Sequence, residues 1–147
     1  MKPGTVFRWK DFPYRKSGEL KARWLIYLGK TPLFSTPVLA HLCTTTTHIE
    51  AFKTGGSRRG HDHIILIPKR HPVEEECILD LDEKPHSVPE EKLLNNPNIE
   101  IKGELTEQDL RTIYNKLRKS NAYSKAIILD MHRCFNEIGI TSLKMPK

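Results

Sequence analysis

No apolar run in the 147 residues approaches the ~20 that a membrane-crossing helix needs, which excludes a helical membrane span. Cysteine is scarce. Cys43, Cys77 and Cys134 are odd in number and far apart, which argues against a disulfide framework and fits a reducing compartment. The opening Met1-Lys2-Pro3-Gly4-Thr5 has no apolar region of the kind a signal peptide carries, so a cytoplasmic location is expected. There is no internal repeat and no low-complexity tract. A hydrophobic content of 37% with 29% charged residues fits one soluble globular domain spanning residues 1–147 rather than a disordered chain.

Acidic residues are sparse in the first half. Met1 to His71 holds 13 Lys and Arg against 4 Asp and Glu, a net of +9, whereas Pro72 to Lys147 holds 11 against 14, a net of −3. A positive field concentrated in one half favours a polyanion, most simply nucleic acid, although basic proteins also arise for solubility alone.

The stretch from Lys21 to His48 lies in that basic half. Lys21-Ala22-Arg23 leads into Trp24-Leu25-Ile26-Tyr27-Leu28, which has the length and aromatic and β-branched content of a buried strand ended by Gly29. After a loop punctuated by Pro32 and Pro37, Val38 to Cys43 reads as a second strand, closing in Thr44-Thr45-Thr46-Thr47-His48. Paired antiparallel, the two strands would set Arg23 and the threonines on one surface, a fixed cation beside several hydroxyls and suited to gripping a phosphate. The same pattern also reads as a buried strand with polar ends.

Further strands are expected at Thr5–Trp9, Ile64–Ile67, Cys77–Asp82 and Ile99–Gly103, with Gly- and Pro-rich connections, a spacing that suggests a small antiparallel barrel. Val88 to Leu94 reads as one or two helical turns with proline at the start. Thr106 and Asp109 resemble a capping box for a helix whose apolar face is Leu110, Ile113, Tyr114 and Leu117. Ser124 is the N-cap expected for a second helix, Lys125 to Ile138, ended by Gly139. Its Ile127, Ile128, Met131 and Phe135 stripe would cover the barrel or meet a partner subunit.

This order of elements resembles the PemK/MazF family of toxin endoribonucleases. Lys2-Pro3-Gly4-Thr5-Val6-Phe7 is similar to that family's first strand, Phe12-Pro13-Tyr14 falls where its first loop begins, and Lys21 to Leu28 is similar to its basic second strand. Cys43 to Thr47 matches its Thr/Ser-containing strand end, and Ile78 to Ser87, Ile99 and Gly103 to Thr106 follow its closing pattern. The resemblance covers Met1 to Ser120, a barrel with the first long helix, and leaves 121–147 as a C-terminal helical extension.

The resemblance implies a mainly β, SH3-like barrel of the PemK/CcdB type, a homodimer, a cognate antitoxin protein as partner, and no cofactor. It also implies metal-independent cleavage of single-stranded RNA, in which the ribose 2′-hydroxyl attacks the adjacent phosphate and leaves a cyclic phosphate and a 5′-hydroxyl. Arg23 matches the catalytic arginine and would stabilise the phosphorane or protonate the leaving oxygen. Thr46 matches the catalytic threonine, with one-residue slips within Thr44–Thr47 open. Lys21, Tyr14, Thr45, Thr47, Arg58 and Arg59 would contact substrate, and Asp82 matches an acidic position near the base or ribose. Trp24 replaces the proline that normally follows the arginine, and Asp80 stands where some members carry an arginine.

The histidines carry the proton chemistry. His48, His61 or His63 can serve as the base that takes the 2′-hydroxyl proton. His61-Asp62-His63 can alternatively form a metal pair with His48 or His86, and all of them also read as loop histidines. Arg15-Lys16, Arg58-Arg59 and Lys69-Arg70 would flank an RNA groove in which Tyr14, Phe52 or Trp9 stack on bases. A catalytically silent nucleic-acid-binding module on the same barrel is the rival reading, followed by a topoisomerase-poisoning protein of the same fold.

Overall fold

The computed structural model describes residues 1–13, 20–53, 55–57 and 59–146. Tyr14, Arg15, Lys16 and Arg58 lie outside the described residues. Among the described residues, seven strands form one curled, half-barrel sheet: β1 (Thr5–Phe12), β2 (Lys21–Lys30), β3 (Leu39–Thr46), β4 (His63–Leu66), β5 (Cys77–Asp80), β6 (His86–Pro89) and β7 (Ile99–Glu104). Every pairing is antiparallel, in the order β4-β5-β3-β2-β1-β7, with β6 also paired to β3. Two helices follow, α1 (Glu107–Leu117) and α2 (Lys125–Glu137). None of the helices among the described residues is long and apolar enough to cross a membrane.

The uninterrupted apolar run of β2 has a physical cause, since the sheet separates two cores. Leu25 and Tyr27 join Phe7, Trp9, Phe12, Leu42 and Val88 on one face. Ile26 and Leu28 point the other way, against Cys43, Leu79 and the apolar faces of both helices. A strand covered on both faces loses the polar alternation of a half-exposed one. Gly29 allows α2 to come close, because a Cβ built there would lie 3.3 Å from the Cys134 Cβ and Sγ.

The helix starts are as the sequence suggests. The Asp109 N–H donates to Thr106 Oγ1 at 3.2 Å and the Thr106 N–H donates back to Asp109 Oδ2 at 3.3 Å, a reciprocal cap. The Ile127 N–H donates to Ser124 Oγ at 3.3 Å. From α2, Asp130 reaches the buried His41 of β3, Oδ2 to Nε2 at 2.8 Å, and the other ring nitrogen of His41 meets Ser87 Oγ of β6 at 2.7 Å. Ile128, Met131 and Phe135 of α2, with Ile140 and Leu143 beyond it, are buried in the same core as the sheet. The α2 stripe therefore covers the sheet, and the segment past residue 120 contributes buried side chains to the same core.

One expectation fails. Val88 and Pro89 are strand, not helix, and only Glu90–Lys92 forms a short 3₁₀ turn. The local Pro-Glu-Glu-Lys pattern favours a helix start, but β6 gains four ladder partners from Leu39–Leu42 of β3, a long-range pairing that overrides local preference.

Candidate phosphate-binding cleft

The threonine run sits where β3 changes partners. Leu39 to Leu42 pair with β6, whereas Thr45 and Thr46 pair with Leu79 and Ile78 of β5, so the ladder on this edge forks across Cys43–Thr44. On its other edge β3 pairs with β2 as far as Leu25↔Thr44. Two residues further, the same register sets Arg23 opposite Thr46, and strand alternation puts both on the face that carries Leu25 and Thr44. Arg23, Trp24, Thr45, Thr46, Thr47, His48 and Glu75 are among the residues that line one cavity of about 440 Å³. A second cavity of about 300 Å³ continues on the Trp24 side, with Thr45, Thr47 and Cys77 in its wall. A third, of about 360 Å³, lies beyond Thr46 and His48, toward Ser57.

The four threonines are not equivalent. Thr44 is buried and its hydroxyl donates to Glu83 Oε2 at 3.3 Å. Thr45, also buried, donates to the main-chain carbonyl of Trp24 at 3.1 Å. Thr46 is half-buried, and its Oγ1 accepts from the His48 N–H at 3.1 Å. That bond engages the oxygen as acceptor and leaves the hydroxyl proton to be donated. Thr47 is exposed on the wall shared by the first two cavities.

His86 belongs to this neighbourhood, which the sequence did not disclose. It sits on β6 opposite Leu42, and its ring stands edge-on to the buried Phe12, centroids 5.2 Å apart. Burial, reinforced by the nearby Arg23 guanidinium, holds the imidazole below its ordinary pKa against an opposing pull from Glu83. The shift favours the neutral form of the ring. Only recognition of β6 as a strand would have revealed it. Glu75 is also unforeseen, an acidic residue in the wall of the cavity that Arg23 lines.

The remaining candidates divide. His48 is exposed at the cavity wall. His61 donates from Nδ1 to the Asp80 carboxylate at 2.9 and 3.0 Å, while His63 donates from Nδ1 to the His61 carbonyl at 2.9 Å. Both rings lie against Phe52. Among the described residues no group of three His, Cys, Asp or Glu is placed to hold a metal ion. Asp82 lies past the end of β5 and accepts from the Asp62 N–H at 2.7 Å and the Ser120 hydroxyl at 2.9 Å, tying three segments together. Lys21 is exposed at the start of β2, and Arg59 is exposed with its guanidinium on the Gly56 carbonyl at 3.4 Å. Tyr14 and Arg58 fall outside the described residues. Trp9 and Phe52 are not available to stack on bases as the sequence suggested. They are 3% and 7% exposed because their apolar rings complete the interior.

No protein-family model, curated protein or solved structure matches this chain.

Proposed function

We propose that this protein is an endoribonuclease that cleaves single-stranded RNA without a metal ion. In this reading it is the toxin of a toxin–antitoxin pair, a homodimer built on the SH3-like barrel of the PemK/MazF kind, with an antitoxin protein as its partner. The observation that carries the reading is that Arg23 and Thr46 line one cavity, on two strands whose register, continued two residues past Leu25↔Thr44, sets them opposite each other. A phosphodiester seated there meets a guanidinium fork and a donating hydroxyl, the two groups that the dianionic phosphorane needs. His48, exposed in the wall of the same cavity, takes the 2′-hydroxyl proton as the oxygen attacks phosphorus.

The test is a mixed-sequence single-stranded RNA incubated with the purified protein in EDTA, with end-group mapping of the fragments. Cleavage that leaves 2′,3′-cyclic phosphate and 5′-hydroxyl ends, and is lost in Arg23→Ala, is the expected result. Cleavage that disappears with chelator and returns with a divalent ion overturns the metal-independent mechanism. RNA binding with no turnover would favour the silent binding module, a reading supported by the Glu75 carboxylate in the wall of the same cavity as Arg23.

A further inference from the structure

We infer that His61, held by Asp80, is the proton donor to the leaving 5′-oxygen, an inference that rests on the RNA-cleaving reading above. The first ground is the dyad itself. The Asp80 side chain is 1% exposed and that of His61 is 38%, so a buried carboxylate backs an imidazole that reaches the surface. Asp80 also accepts from the Asp82 N–H at 3.0 Å, which fixes the carboxylate before His61 meets it. With Nδ1–H bound to Asp80, the donor form is the imidazolium, whose second proton is on Nε2; that nitrogen makes no hydrogen bond among the described residues, and giving up the proton leaves the neutral ring still held by Asp80.

The second ground is position. The β3–β5 register places Ile78 opposite Thr46, and continuing that register two residues beyond the ladder brings Asp80 level with Thr44. Asp80 therefore shares the face of Thr44, Thr46 and Arg23. Two strand spacings and a two-residue offset separate the backbones of Asp80 and Arg23 by roughly 12 Å. An arginine side chain reaching from one end and an imidazole mounted on a carboxylate at the other can bracket one phosphodiester and its neighbouring ribose.

The third ground is chemical need. A guanidinium gives up its proton too reluctantly to act as an acid, so Arg23 suits charge stabilisation and the donor must be another group. The step then balances. The 2′-oxygen bonds to phosphorus and its proton passes to His48. The P–O5′ bond breaks and the Nε2 proton of His61 goes to O5′, giving the cyclic phosphate and the 5′-hydroxyl. Asp80 is a positioning residue, and its presence where a cation would be expected from the resemblance thereby acquires a role.

The experiment compares wild type, His61→Gln and Asp80→Asn on two oligoribonucleotides bearing the mapped cleavage site. One is natural; the other has sulfur in place of the bridging 5′-oxygen, and thiolate leaves without a proton. His61→Gln should lose ~10²–10⁴-fold on the oxygen substrate and come within several-fold of wild type on the sulfur substrate. Asp80→Asn should show a smaller loss with the same recovery, which a merely structural lesion would not show. If Asp80→Asn does not fold, the partly exposed His61 site still decides the question. Near-wild-type cleavage of the oxygen substrate by His61→Gln, or equal losses on both substrates, overturns the donor assignment and leaves the RNA-cleaving reading standing. Wild type that cuts neither substrate overturns that reading, and the assignment with it.

Discussion

The Thr45 hydroxyl donates to the Trp24 main-chain carbonyl at 3.1 Å, so of the two neighbouring threonines that line the cavity with Arg23, Thr45 has its proton engaged in the fold whereas Thr46, an acceptor from the His48 N–H, keeps its own to donate. Both lie in the same four-residue tract, yet they answer to opposite faces of one strand. Thr45→Val should therefore cost about 0.5–1.5 kcal/mol in denaturant unfolding, since a buried carbonyl loses its donor. Its turnover per folded molecule should change little. Thr46→Val should do the reverse, and a Thr45→Val protein that is fully stable but inactive would exchange the two roles.

Arg23 and Thr46 should behave as one unit. If both contact the same phosphate in the transition state, each single loss removes about 10²–10³ in rate, and Arg23→Ala with Thr46→Val should be little worse than the poorer single. Single-turnover rates on one RNA substrate measure this. Fully multiplicative losses would place the two residues at separate sites.

The pH dependence of stability carries a signature of His86. Its folded pKa lies below the ordinary value, so the unfolded chain binds the proton more readily in the interval between the two. This group's contribution to stability is therefore full above about pH 6.5 and is lost as the pH falls below that. Urea midpoints compared at pH 7.5 and pH 5 should fall more steeply for wild type than for His86→Gln. An identical fall in both would show that His86 does not titrate across folding.

Gly29 should not tolerate even a methyl group. Its φ of +152° is one that side-chain-bearing residues rarely adopt, and an added Cβ would sit 3.3 Å from Cys134 and 3.5 Å from the Met131 backbone. Gly29→Ala should lower stability by about 1–3 kcal/mol with an unchanged denaturant slope. A wild-type midpoint would mean that α2 moves away from β2 without penalty.

Much of this protein was decided locally. The two-faced burial of Trp24–Leu28, the Thr106–Asp109 reciprocal cap, the Ser124 start and the Leu110, Ile113, Tyr114, Leu117 face depend on residues close in sequence, where periodicity and capping chemistry suffice. The pairing of β2 with β3 was likewise foreseeable, because consecutive strands are usually neighbours in space. What lay beyond the sequence depends on register between distant segments. β6 formed from a tract with helical leanings because β3 offered it a ladder, and that pairing is what brought His86 near Arg23. His61 and Asp80 meet across 19 residues, and Glu75 enters the cleft from beyond β4. A shift of one residue in any of those pairings would turn the side chains to the opposite face, so no property of the residues taken singly could determine which of them share the cleft.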